Sequence, residues 1–399
     1  MRLLATAACL LLAAACQKSG GPSVTVPMFL DHNRMLVDAE IERADGSWRR
    51  SRLWVDTGNP RLFMSAALAR DLGLDLSGAT QNTPVPPPAG IRIGGMPLDL
   101  QGVQAQVMFE PQWLFGAMHN DANLPATVLK RYQVVFDYPQ RRLTLAEPGN
   151  RRPRGERCAA SVHPETGIIQ IDAVIDGDSL SFALDNGASY SFVSGDVLER
   201  LARRHPDWPH LGGTLGAANM WGWWPPREET LPVVRVPEIL WGSVRLAAVG
   251  MVGVSEVAPN GPSLGAWYSQ KTARPVHGFL GPNAFKAYRV EIDYGQGAVY
   301  FERGAVPERH DMDLVGLTVR PEADGRYRVI GVAQQEGKPA VEGVTPGDVL
   351  LRIGDLTVTG ATMGTVVDAL RGKPEETRVL VLERNGVSFT IEARVQRFL

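Results

Sequence analysis

Two aspartates sit in matching turns, Val55-Asp56-Thr57-Gly58 and Leu184-Asp185-Asn186-Gly187. In each, an apolar run ends in Asp-x-Gly. An apolar strand holds such a carboxylate against a low-dielectric floor, and the glycine lets the turn tighten and another backbone approach. Two carboxylates held together cannot both ionise, so one keeps a proton while the other is charged. The charged member can take a proton from water while the protonated member hydrogen-bonds a carbonyl. That is amide hydrolysis without a covalent intermediate. The predicted catalytic pair is therefore Asp56 and Asp185, with Thr57, Gly58, Asn186, Gly187 and Ser189 supporting their loops.

An internal repeat is what would bring these residues together. Lys130-Arg-Tyr-Gln-Val-Val-Phe-Asp137-Tyr follows the first turn and Lys286-Ala-Tyr-Arg-Val-Glu-Ile-Asp293-Tyr the second. Two markers in the same order in each half argue for duplication, and twofold pseudo-symmetry places equivalent residues side by side. Short Val-, Ile- and Leu-rich runs between Gly and Pro turns read as strands, with short helices at 66–72 and 197–204. The expected fold is mainly β: two pseudo-symmetric β-barrel-like lobes over 24–149 and 158–304, joined by an Arg/Pro-rich linker at 150–157. A charged, Pro-containing linker at 305–313 leads to a third domain at 314–397. That domain reads strand, strand, Pro-Gly-Asp turn, strand, helix, strand, strand.

A chain of 399 residues with 44% hydrophobic and 21% charged residues has the composition of a soluble protein of two or three domains. A net charge of -2 gives no electrostatic reason to expect nucleic acid. The seven histidines show no metal-ligand spacing and no phosphate loop follows a strand, so neither metal nor cofactor is expected. Gly261-Pro-Ser263-Leu-Gly265 matches Gly-x-Ser-x-Gly but lacks a buried strand before it and a helix after it, and reads as accidental. The aromatic run Met220-Trp221-Gly222-Trp223-Trp224 reads equally as a small core or as an interface. Residues 1–16 have the charged start, short apolar run and small residues of an export signal ending at Cys16, and 17–23 form a polar tether. After signal removal Cys158 is the remaining unlipidated thiol, expected to be partly buried at a strand start.

With these residues in view, the Asp56 and Asp185 turns resemble the signatures of pepsin- and retropepsin-like aspartic proteases. Gly278-Phe279-Leu280-Gly281 is similar to the element that crosses behind each catalytic loop. Val344-Thr-Pro-Gly-Asp348-Val-Leu-Leu-Arg-Ile-Gly-Asp355 resembles a segment of bacterial PDZ domains. Together they resemble bacterial aspartyl protease family lipoproteins with a C-terminal PDZ domain. The resemblance implies an aspartic-type endopeptidase acting on peptide or protein substrates. It also implies peptide C-termini bound at Val315-Gly316-Leu317-Thr318 beside a helix over 365–371. Lipid on Cys16 implies membrane anchoring on the periplasmic side of the cell envelope, at the outer membrane. The sequence departs from the family pattern at Asn186, where a hydroxyl is usual, and carries no flap tyrosine after Asp56. It also has Pro125 where the first crossing strand should carry Gly, which predicts a rearranged strand there. The alternative expectation is a catalytically inactive peptide-binding scaffold.

Overall fold

A computed structural model describes residues 22–109, 115–213, 230–255, 261–335 and 337–399. The fold is mainly β, as the run lengths and turn residues predict. In the first lobe, Arg34–Glu42 pairs antiparallel with Trp48–Asp56, and Leu53 and Val55 point into a fully buried core. Ala122–Pro125 runs parallel to Trp48–Asp56, with Leu124 opposite Val55. The second lobe repeats this arrangement. Ile169–Ile175 turns into Asp178–Leu184, and Gly278–Leu280 runs parallel to the latter with Leu280 opposite Leu184. From there the sheet continues through Ser191–Ser194, Val244–Val254 and Pro232–Trp241, which returns to the first strand at Val174 and Leu240. Six strands thus close a barrel, which removes two sheet edges.

The two repeat markers join the lobes. Gln133–Asp137 and Tyr288–Asp293 lie at the centre of a six-stranded sheet and pair antiparallel, so Val135 faces Glu291, its counterpart in the other repeat. The pseudo-twofold axis runs through that pair. Glu291 is fully buried there but not unpartnered: Arg289 lies 2.6 Å from it and Gln133 Nε2 donates to it at 2.6 Å.

The third domain is a sheet ordered Leu317–Pro321, Tyr327–Val332, Val349–Ile353, Thr377–Arg384, Val387–Arg394, with a helix over Met363–Leu370. Asp348 of the Pro-Gly-Asp turn is buried and takes two bonds from Arg384, at 2.7 and 2.8 Å. The stretch before this domain is partly internal: Asp311, Met312 and Asp313 are all buried. Among the described residues no helix is long and apolar enough to cross a membrane.

Candidate active site

Each aspartate leaves the end of a buried strand, and the opposite lobe closes over it. Only 3% of Asp56 and 6% of Asp185 is exposed, so both carboxyls are largely desolvated. Asp56 Oδ1 accepts from the Gly58 amide at 3.0 Å, and Asp185 Oδ1 accepts from Gly187 at 2.9 Å and Ala188 at 3.1 Å. The two loops interlock. A Cβ on Gly58 would lie 2.3 Å from Asp185 Cγ, and one on Gly187 would lie 2.6 Å from Asp56 Cγ. Each glycine is therefore the gap through which the other lobe's carboxyl reaches the axis, and no side chain fits either position.

Thr57 braces the pair from the first lobe. Its Oγ1 donates to the Leu184 carbonyl at 3.0 Å and accepts from the Asn186 amide at 2.9 Å. The remaining carboxyl oxygens meet side chains from outside the loops: Asn123 Nδ2 lies 3.4 Å from Asp56 Oδ2, and Tyr268 Oη 3.3 Å from Asp185 Oδ2. Tyr268 Oη also lies 3.0 Å from the Gly58 carbonyl oxygen. A phenol has one hydrogen, so Tyr268 can give it to the Gly58 carbonyl or to Asp185 Oδ2, but not to both at once. On the opposite side, Trp54 Nε1 and Arg34 Nε both donate to the Gly187 carbonyl at 3.0 Å. Ser189 lends its backbone carbonyl, which accepts from Asn33 Nδ2 at 2.7 Å.

Burial, then the neighbouring Asp185 charge, pushes Asp56 up to about 8. Burial also raises Asp185, against the pull of its amide donors, Tyr268 and Arg34. Lys271 is pulled down to about 8 by its own burial, while both carboxylates pull it back up; its Nζ stands 3.4 Å from the centre of the Trp267 ring. Both acids are thus pushed up by desolvation, with a partly desolvated cation in their field.

No protein-family model matches the sequence, and a search of curated proteins returns no match. Among solved structures, a photosystem II D1 C-terminal processing protease aligns over 22% of this chain at 22% identity, with a TM-score of 0.20. The chain spans 24% of the length of that protein.

The expected rearrangement at Pro125 does not occur. The crossing strand Ala122–Pro125 keeps the same parallel register as its counterpart, and two facts explain it. Pro125 has φ -80°, within a proline's range, and sits at the strand end as the residue preceding helix Ala126–Leu129. In the second lobe the equivalent Gly281 donates its amide to Ser191 Oγ at 3.0 Å. The counterpart of Ser191 is Leu62, fully buried, so the first lobe lacks both donor and acceptor and leaves neither orphaned. Ser263 is also followed by a helix, Leu264–Ser269, contrary to expectation, and its Oγ caps that helix by accepting from Ala266 at 3.2 Å. Cys158 is wholly rather than partly buried, donates to the Trp241 carbonyl at 3.0 Å, and has its thiol pushed up to about 11 by burial.

Of the loop expected to bind peptide termini, Val315, Leu317 and Thr318 are buried and Gly316 has φ +86°. The Val315 amide is already donated to the Leu370 carbonyl at 3.1 Å. Cys16 and the Trp221, Trp223 and Trp224 cluster lie outside the described residues. A groove of about 650 Å³ runs along the first lobe between Phe29, Glu40, Arg50 and Asp121, and its lining includes neither aspartate.

Proposed function

We propose that the chain is an aspartic-type endopeptidase that cleaves peptide bonds with Asp56 and Asp185. The observation that carries this reading is the reciprocal fit of each loop glycine against the other loop's carboxyl, which holds two desolvated acids on a pseudo-twofold axis. The ionised carboxylate takes a proton from a water molecule as its oxygen attacks the scissile carbonyl carbon. The protonated carboxyl hydrogen-bonds the carbonyl oxygen and gives it that proton as the tetrahedral intermediate forms. Collapse breaks the C–N bond: the proton gained from water passes to the leaving nitrogen, while the other carboxylate takes a proton back from one geminal hydroxyl as the carbonyl re-forms, restoring a singly protonated pair. Thr57, Tyr268 and Trp54 fix the geometry in advance, so little reorganisation is needed at the moment of reaction.

A non-catalytic peptide-binding scaffold is the second reading, favoured by Asn186 in place of a second bracing hydroxyl. Incubating purified protein with an unstructured protein substrate, alongside Asp56→Asn and Asp185→Asn, separates the two. Wild-type cleavage lost in both variants supports the peptidase; cleavage unchanged by either substitution refutes it. We read the third domain as a PDZ-type module for peptide C-termini. There the amides of Gly316 and Leu317 would meet a terminal carboxylate, since Val315 is engaged. Lipid attachment at Cys16 would hold the protein at the periplasmic face of the outer membrane.

A further inference from the structure

The tip of one hairpin touches both the third domain and the catalytic loop. Phe29–Asp31 and Arg34–Glu42 are joined by His32 and Asn33 alone, both at positive φ (47° and 66°), the two-residue turn that matches strand twist. Such tips are normally exposed. Here Asp31, His32, Asn33 and Arg34 are all buried, each at most 9% exposed.

The tip makes two sets of polar contacts. Asp31 Oδ1 accepts from the Gly364 amide at 2.9 Å, and its Oδ2 accepts from Thr362 Oγ1. These are the first groups of helix Met363–Leu370, so the carboxylate caps the positive end of the third domain's only described helix. The packing is close: a Cβ on Gly364 would lie 2.5 Å from the His32 nitrogen. Asn33 and Arg34, the next residues but one and two, donate to the Ser189 and Gly187 carbonyls at 2.7 and 3.0 Å. Those carbonyls belong to the loop that carries Asp185. Tyr190, at the end of the same loop, donates to Asp311 at 2.8 Å, and Asp311, in the stretch leading into the third domain, is also held by Arg235 at 2.5 Å. A chemically sufficient pair would need neither contact.

We propose that the Asp31–Arg34 hairpin is a positioning element that makes the geometry of Asp185 depend on the docking of the third domain. A shift of helix Met363–Leu370 moves Asp31. The two-residue turn is too short to absorb the movement, so Asn33 and Arg34 carry it to the Asp185 loop. Asp311 and Tyr190 supply a second tie to the same loop, so the loop is held at both ends by contacts outside its own lobe. The third domain thereby sets catalytic competence, in addition to whatever it binds.

The proposal rests on Asp56 and Asp185 acting as a pair, and its test reads that pair separately from cleavage. Thr362→Val removes the hydroxyl that Asp31 accepts from, at a residue that touches neither aspartate. Asn33→Ala is the variant on the lobe side. In full-length protein labelled with ¹³C at the Asp carboxyls, the Asp185 resonance is identified by its loss in Asp185→Asn. Its titration midpoint should shift by about half a unit or more in Thr362→Val and in Asn33→Ala, with thermal unfolding still cooperative. On the peptidase reading kcat should fall about tenfold with KM held, since displacing a reacting group by a fraction of an ångström costs rate before binding. A shifted midpoint in protein that never cleaves peptide upholds the coupling and sinks the peptidase. An Asp185 midpoint identical to wild type in folded Thr362→Val overturns the coupling, whatever the protein cleaves.

Discussion

Replacing Asp56 with Asn should stabilise the protein at neutral pH and do little for it in acid. Asp56 ionises near 3.8 in an unfolded chain and is held protonated up to about 8 in the folded one by burial and by Asp185. Between those values the folded state keeps a proton that the unfolded state releases, so wild-type stability falls as pH rises through the window. One retained proton corresponds to about 1.4 kcal/mol per pH unit, which accumulates to on the order of 4 kcal/mol by pH 7. Asparagine keeps the shape and has no such proton to lose. Urea unfolding of both proteins from pH 4 to pH 8 measures the difference directly. Taking variant minus wild type cancels titrating groups that do not touch the pair, such as Asp348, whose carboxyl is held low by Arg384 and whose stabilising contribution is lost as pH falls. The stability gain should be near zero at pH 4 and grow steadily toward pH 8. A gain that stays constant, or shrinks with rising pH, would refute the claim that Asp56 is held protonated.

Two further substitutions probe the brace and the field around the pair. Thr57→Val should leave the Leu184 carbonyl and the Asn186 amide unpaired in a buried site. At about 1–3 kcal/mol for each of the two orphaned groups, urea unfolding should show a loss of roughly 2–6 kcal/mol; a loss below about 1 kcal/mol contradicts the bracing role. Lys271→Met removes a cation that favours the ionised pair, so the pair's apparent pKa values should rise and the basic limb of kcat/KM against pH should move to higher pH. A basic limb that moves down, or stays in place, counts against Lys271 acting on the aspartates.

The parts of this molecule written in contiguous residues were readable from the chain. Asp56 and Asp185 stood out because each closes an apolar strand in an Asp-x-Gly turn, and the Asp137 and Asp293 markers gave the repeat that pairs them. The strand and helix order of the third domain followed from run lengths and from the Pro-Gly-Asp turn. Pro125 was misjudged because its effect depends on Leu62, which stands where the other lobe has Ser191; a donor and its acceptor are missing together, and no local pattern shows that. Tyr268, Trp54, Asn123 and Lys271 reach the site from elements remote from one or both Asp turns, so their roles exist only once the lobes have closed. His32-Asn33 carries an ordinary hairpin signal, a residue type that tolerates positive φ, and nothing in it announces that the tip is buried. The linker at 305–313 reads from its residues only as charged and Pro-containing; that Asp311 within it is internal depends on Tyr190 and Arg235, which are remote in sequence.

The central claim is that two carboxyls on one axis hydrolyse peptide bonds together. The most direct measurement is the rate at which purified protein cleaves an unstructured polypeptide across the acid-to-neutral range, set beside Asp56→Asn and Asp185→Asn. The account predicts cleavage by wild type and a loss of at least about a hundredfold in each variant, since either substitution removes one of the two protonation states the reaction needs. Cleavage that survives in either folded variant at the wild-type rate, or its absence from wild type at every pH, contradicts it.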